Sequence, residues 1–473
     1  MSVIACRATR TVAATPPVLV FGLIIAVACP TRGGRCLAAD TSDIAVHQRA
    51  PLTTEEVSAA QSINAFAFDL LAQIAGERKW SENTLFSPFS ISSALGMTYA
   101  GARGTTATDM ARVLHYQSDG IHQGMGDLTT DLDTPQAAYD FRVANRIFGQ
   151  KDFMFKAEFL ELLQDIYTAP MESMDFRSAP EESRQYINRW VEEQTNDRIQ
   201  ELLPKGVVGE TTQFVLTNAV YFDGQWQYSF NEKLTQDAPF YLDATTTIEI
   251  PMMRQTNTVR YGRFDSYQMV ELPYAGGDLS MVAMLPNDVD GLADLESSLT
   301  AETFQQSLYE LRPTDVVVEL PKFRFDDEQS LENSLADLGM GIAFDKNEAD
   351  FGDMAYLAAN ENLYLTHVLH KAFIDVNESG TEAAAVTTVV GALDTTAFGS
   401  PPPPLPVFRA DHPFLFGVRD NHSGAMLFLG RLADPDSNAA RTYLVPESSG
   451  WGVMFIMFLF RRRRTTRHEN AFL

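Results

Sequence analysis

Cysteine is nearly absent. The 473-residue chain has three, Cys6, Cys29 and Cys36, all before residue 40. Beyond them no disulfide framework, thiol nucleophile or cysteine-built metal site can form. Positive charge is scarce as well. Against 62 Asp and Glu stand 36 Lys and Arg, a formal net charge of -26, which deepens to -30 without the four arginines of residues 1–39. Such a field repels nucleic acid and sulfated sugar, which excludes nucleic acid as a partner and argues against a heparin-type cofactor. Long apolar runs are missing: Val18 to Cys29 and Trp451 to Phe460 are both short for a bilayer core of about 30 Å. G-x-S-x-G, H-E-x-x-H and P-loop motifs are missing too, and no serine has a base marked out beside it, so no enzyme and no cofactor are expected. His367 and His370 would point to opposite faces of a strand, which leaves no metal site.

The most informative absence lies between Thr381 and Leu393, where there is no proline and the only charge is Glu382. Nothing there deletes a ladder hydrogen bond, so the segment can enter a sheet between two central strands. It follows a flexible hinge, Glu378, Ser379, Gly380 and Thr381, and runs through Ala383, Ala384 and Ala385 into the β-formers Val386 to Val390. On an extended strand Thr381, Ala383, Ala385, Thr387, Val389, Gly391 and Leu393 share one face, while Glu382 and Asp394 fall on the other, toward water. Pro401 to Pro404 ends any such strand, and Asp411 to Leu432 reads as a closing hairpin.

Elsewhere Ile63, Phe66, Leu70, Leu71 and Ile74 recur at helical spacing. Helices are expected at 91–101, 105–114, 156–166, 181–195 and 331–338, and strands at 214–222, 267–273, 279–285, 316–324, 364–377, 414–418 and 425–432. Helices dominate early and strands late, the pattern of an α+β fold. With no interior linker, one large domain is expected.

At these residues the chain resembles the serpin family, in a bacterial-type inhibitory form. ESGTEAAA (Glu378 to Ala385) is similar to the family's hinge and HPFLFGVRDNHSGAMLFLGRL to its C-terminal hairpin. Asn83 to Thr106 resembles the buried strand and helix of the shutter, Thr217 to Trp226 the strand ending at the breach tryptophan, and Ile187 to Ile199 a helix before it. The blocks come in the family's order over about residues 57–436. The resemblance implies a serpin fold: three β-sheets, about nine helices and an exposed reactive-centre loop at about 378–408. It implies suicide inhibition of a serine-type or cysteine endopeptidase, held as a covalent acyl-enzyme by a monomeric inhibitor. A non-inhibitory serpin that binds or carries something is the alternative.

By the same resemblance Glu378, Gly380, Thr381, Ala383, Ala384 and Ala385 form the hinge. Asn83, Ser87, Ser90, Asn218 and His370 match the polar shutter cluster, and Trp226 stands at the breach. Counting seventeen residues from Glu378, the family's usual spacing, puts the reactive bond at Asp394-Thr395; Leu393 and Phe398 are the alternatives. Asp394 would suit an acid-reading protease, Leu393 a chymotrypsin-, elastase- or subtilisin-like one.

The ends carry separate patterns. Arg7 and Arg10 before an apolar run suit a signal peptide over residues 1–39, hence export to the extracellular space or cell envelope. Residues 40–56 form a polar lead-in. Residues 437–473 contain a short apolar run closed by Arg461 to Arg464, which resembles a degenerate PEP-CTERM sorting signal; a weak anchor and a disordered extension remain open.

Overall fold

The structure, a computed structural model, describes residues 49–133, 139–358, 361–381 and 404–436. Among them are nine α-helices and three sheets of nine, six and two strands. The first helix, Thr54–Glu77, starts on a reciprocal cap: the Glu56 amide donates to Thr53 Oγ1 at 3.1 Å and the Thr53 amide to Glu56 Oε2 at 2.6 Å. Its expected apolar stripe, Ile63, Phe66, Leu70, Leu71 and Ile74, is buried. The cap corrects the lead-in expected over 40–56. The helix begins at Thr54, and Arg49 is already fixed to the body by Asp420 at 2.8 Å and the Tyr139 hydroxyl at 2.9 Å.

The six-stranded sheet positions the site. Its strands in chain order are β1 (Tyr139–Gln150), β2 (Glu172–Met174), β3 (Phe214–Gln225), β4 (Phe323–Ser330), β5 (Val368–Val376) and β6 (Gly380–Thr381), arranged β4-β5-β6-β3-β1-β2. One face packs on the helix Pro88–Tyr99 and the closing hairpin through Phe89, Phe141, Phe222 and Phe428. The other is covered in part by the helix Pro180–Gln194, whose Val191 packs with Ala144, Ala219, Tyr221 and Phe373.

The strand expected at 316–324 is two strands in different sheets. Arg312–Pro321 belongs to the nine-stranded sheet and β4 to the six-stranded one, and the chain switches at Lys322, whose amide goes to the Pro251 carbonyl at 3.0 Å. Apolar alternation runs on through the switch, so the sequence shows no break there. The hairpin Phe414–Asp420 and Met426–Leu432 lies inside the nine-stranded sheet, between Leu279–Pro286 and Thr84–Phe86.

Arg431, on the last strand, is 1% exposed and pairs with Glu296, 5% exposed, at 3.0 Å, while also donating to the Glu82 and Lys79 carbonyls. Burial raises the Glu296 carboxyl and the Arg431 guanidinium opposes that rise. Removing one partner strands the other charge. Glu296→Ala should cost about 3–5 kcal/mol of unfolding free energy in urea titrations, and the double change Glu296→Leu with Arg431→Met markedly less.

Candidate functional site

The site is the place where the six-stranded sheet is split. Below, β5 pairs parallel with β3 over five positions, from Val368 opposite Leu216 to Ala372 opposite Val220. Above, β6 stands between them, antiparallel to both: Thr381 faces Gly224 on one side and Val376 on the other, and Gly380 faces Gln225. The first hinge residues thus already occupy a central position. Gly380 has no substitute there, because a Cβ on it would lie 2.0 Å from the Gly224 carbonyl oxygen.

Thr381 is fully buried, and its Oγ1 shares a hydrogen bond of 2.8 Å with the Tyr274 hydroxyl. Burial pushes that phenol's pKa well above its ordinary value. Trp226 stacks on Tyr274 with ring centroids 4.6 Å apart and 9° between planes, its Nε1 donates to the Asn377 carbonyl at 3.0 Å, and its amide donates to the Ser379 carbonyl at 2.9 Å. Glu378 accepts from Lys322 and from the Thr235 hydroxyl, each at 2.8 Å. Burial alone would raise its carboxyl, but these two donors bring it below its ordinary value. Thr235, Tyr274 and Lys322 carry no local sequence signal; they meet the hinge only because three distant strands converge there.

Six residues down the same strands from Gly224 and Val376, a polar cluster closes the sheet. The Ser87 amide donates to His370 Nε2 at 3.0 Å, so the ring is neutral with its proton on Nδ1, which donates to Asn218 Oδ1. Asn218 Nδ2 donates to Asn145 Oδ1 at 3.1 Å, the Ser90 hydroxyl to the same oxygen at 3.0 Å, and the Ser90 amide to Ser87 Oγ at 3.1 Å. Ser87, Ser90, Asn218 and His370 are therefore brought together in one hydrogen-bonded cluster. Asn83 is placed differently. It accepts from the amides of Ala433 and Asp434 and donates to the Asp434 carbonyl, each at 2.8 Å, fastening the chain's return after the hairpin. Asn145, on β1, completes the cluster instead. Its only sequence signal is its place in an alternating strand.

Ala383, Ala384, Ala385, Leu393, Asp394, Thr395 and Phe398 lie outside the described residues. Beyond them Val407–Arg409 forms a parallel edge strand beside Arg312–Pro321. A segment of 22 residues, 382–403, is thus held at both ends, by the six-stranded sheet before it and the nine-stranded sheet after it.

The pattern of the Serpin (serine protease inhibitor) family matches residues 61–435. The chain belongs to the serpin family. It is 39% identical over 401 residues to Serpin B3 of Homo sapiens and 41% identical over 389 residues to the leukocyte elastase inhibitor of Bos taurus, in both cases across 80% of this chain and 100% of the relative. Uncleaved ovalbumin superposes with a TM-score of 0.71 at 27% identity, covering 80% of this chain and 100% of that one. A structure of cleaved Serpin 42Da does so with 0.71 at 30% identity, covering 80% and 99%. Among the described residues the serpin hinge is seated in the sheet through Thr381, and β5 and β3 pair directly with each other below it.

His370 makes closure of this serpin sheet pH-dependent. Burial lowers its pKa from 6.5 to about 3. Below about pH 6.5 an opened or unfolded chain takes up a proton that the closed cluster refuses, so the stabilisation is complete above that pH and is lost as pH falls, by about 1.4 kcal/mol per pH unit. His122, lowered by burial to about 4, adds a similar slope to global unfolding. Urea titrations from pH 7.5 to 5 should show stability falling with acid, and His370→Gln should flatten that dependence by about 1.4 kcal/mol per pH unit.

Proposed function

We propose that this protein is a protease inhibitor acting as a suicide substrate, and not itself an enzyme. The single observation that carries the reading is the hinge, with Gly380 and Thr381 seated between two strands that pair directly with each other below it. In this reaction the protease nucleophile attacks the carbonyl of the scissile residue and forms an acyl ester. The amide bond breaks, and the amine of the following residue leaves with a proton. The freed segment then extends β6 downward as a full strand, carrying the acylated protease with it. A non-inhibitory serpin would be cleaved without trapping.

The register already set by β6 supports this course. Continued one for one, it brings Ala383 opposite Phe222, Ala385 opposite Val220 and Thr387 between Asn218 and His370. Phe222 is packed edge-on to Tyr274 at 4.9 Å, on the inward face that Ala383 would enter. Gly391 meets Phe214, the first residue of β3. A bond at Asp394-Thr395 ends the insert three residues past that ladder, whereas Phe398 would overrun it by seven; the ladder length favours Asp394 or Leu393. An aspartate there points to an acid-specific endopeptidase as target. The bacterial type finds no support in the mammalian relatives. Export before Asp40 and a processed tail rest on the sequence patterns of residues 1–39 and 437–473, and intact-mass measurement of native material tests both.

Cleavage in the loop should raise the melting temperature sharply, since it adds a central strand; an unchanged value after clean cleavage would overturn the inhibitory reading. Thr381→Arg, placing a charge at a fully buried position, should turn inhibitor into substrate, with cleaved serpin and free protease replacing the covalent complex on denaturing gels. Mass spectrometry of the released peptide assigns the bond. Thr395 as its first residue supports Asp394, Asp394 as its first residue supports Leu393, and Gly399 sinks both.

A further inference from the structure

The outer face of the split carries a row of carboxylates. Asp223 lies on β3, one residue below Gly224, and its direct cross-strand neighbour on β1 is Asp140. On β5, Asp375 stands five residues above His370, as Asp223 stands five above Asn218 on the paired strand, so both project to the outer face. Asp223 is half-buried and its pKa is raised to about 6, first by burial and then by Asp140, with Asp375 adding to the rise.

The nearby arginines on β1 and β4 pair with the outer members of the row, Asp140 and Asp375. Arg142 on β1 pairs with Asp140 at 2.5 Å, and Arg324 on β4 with Asp375 at 3.6 Å. Asn196 donates to Asp140 at 3.3 Å, and Asp133, at the end of the helix Ile121–Asp133, adds a further negative charge near Arg142 and Asp140. Tyr221 and Arg198 are the groups that act to lower the Asp223 pKa. His370 sits on the opposite face of the sheet, among the buried shutter groups.

The next ladder position below Thr381 falls between Asp223 and Asp375, by the same register that seats Thr381 between Gly224 and Val376. The sequence assigns Glu382 to it, with its side chain on the outer face. The first new step of insertion therefore sets four carboxylates side by side on adjacent strands about 4.8 Å apart. Like charges directly opposite one another destabilise a sheet.

We propose that Asp223, aligned with Asp140 and Asp375 across the mouth of the sheet, is a positioning residue that slows the first step of loop insertion, so that the partition between trapped and released protease depends on pH. This rests on the inhibitory reading above. At pH 8 the row is charged and resists Glu382; near pH 5.5 Asp223 is largely neutral and insertion runs faster, with fewer inhibitor molecules consumed per protease trapped.

The test compares wild type, Asp223→Asn and Asp223→Lys at pH 8 and about pH 5.5, using a glutamyl-specific endopeptidase and a chymotrypsin-like one. Two quantities are read: inhibitor consumed per protease trapped, and the rate at which the uncleaved loop inserts without protease, seen as gain of urea resistance. Wild-type insertion should accelerate about tenfold between the two pH values, and Asp223→Asn no more than about threefold. Asp223→Lys, which gives Glu382 an opposite charge, should be fastest of the three at pH 8. The acid effect of His370 is common to all three proteins and cancels in the comparison. Equal pH ratios in wild type and Asp223→Asn would overturn the proposal. Absence of trapping by every variant at both pH values would overturn the inhibitory reading instead, while the protease-free rates would still decide the role of Asp223.

Discussion

Five parallel residue pairs between β5 and β3 hold the sheet shut below a hinge that has already entered it. Everything else about the site follows from this arrangement. The sheet's middle is an interior position with backbone partners on both sides, yet it is closed by a short parallel ladder and one side-chain cluster. Parallel pairing is slightly the weaker kind per residue. Replacing it with two antiparallel ladders adds hydrogen bonds and buries the inward face of a strand, so the open-and-filled sheet lies downhill of the closed one. The closed form persists because its ladder has to part before the new one can form.

The polar character of the closing cluster fits that requirement. An apolar seam across β3 and β5 would interlock side chains at native packing density and would have to be unpacked before anything could pass. His370, Asn218, Asn145, Ser90 and Ser87 instead exchange directional bonds, and an entering Thr387 can itself donate and accept at that level. The cost is sensitivity to acid, since the cluster uses the lone pair of His370 Nε2 as an acceptor. At the mouth the hinge is held by groups of mixed kind: a lysine and a hydroxyl on Glu378, a tyrosine on Thr381, and an indole donating to the Asn377 carbonyl.

The insertable character expected of the loop rests on local properties of its sequence. Absence of proline, a single charge and strict alternation of small inward residues need no knowledge of partners, and Thr381 is indeed buried against Tyr274. The helices expected at 105–114 and 181–195 lie within a residue of the observed Gly104–Val113 and Pro180–Gln194, since their apolar periodicity is also local. What could not be read depends on distant chain meeting distant chain. Lys322 sits at a switch between sheets that alternation conceals. Asn83 shares a segment with Ser87 and Ser90 but faces the returning C-terminal strand, and Asn145 comes to the cluster from a strand that no motif marked. The acidic row at Asp140, Asp223 and Asp375 is spread over 236 positions of sequence and becomes a row only through register.

Register also limits how far the inserted strand can travel. From Thr381 to Asp394 is thirteen steps, about 43 Å at ~3.3 Å each. β3 begins at Phe214, which the continued register would set opposite Gly391, so on the proposed insertion Ala392, Leu393 and Asp394 would run past the last strand partner. That overrun is a requirement of the mechanism. The residue esterified to the protease carries a whole enzyme on its carbonyl carbon and cannot take a place between two strands. A scissile residue at or before Gly391 would leave the ladder unfilled, because the bound enzyme would reach the sheet edge first. One far beyond Asp394 would leave slack between the sheet and the acyl bond, and slack removes the pull that distorts the protease active site. On the proposed insertion, a strand of twelve residues in β3 and a hinge seated at Thr381 would confine the productive bond to a window of a few residues that includes Leu393 and Asp394.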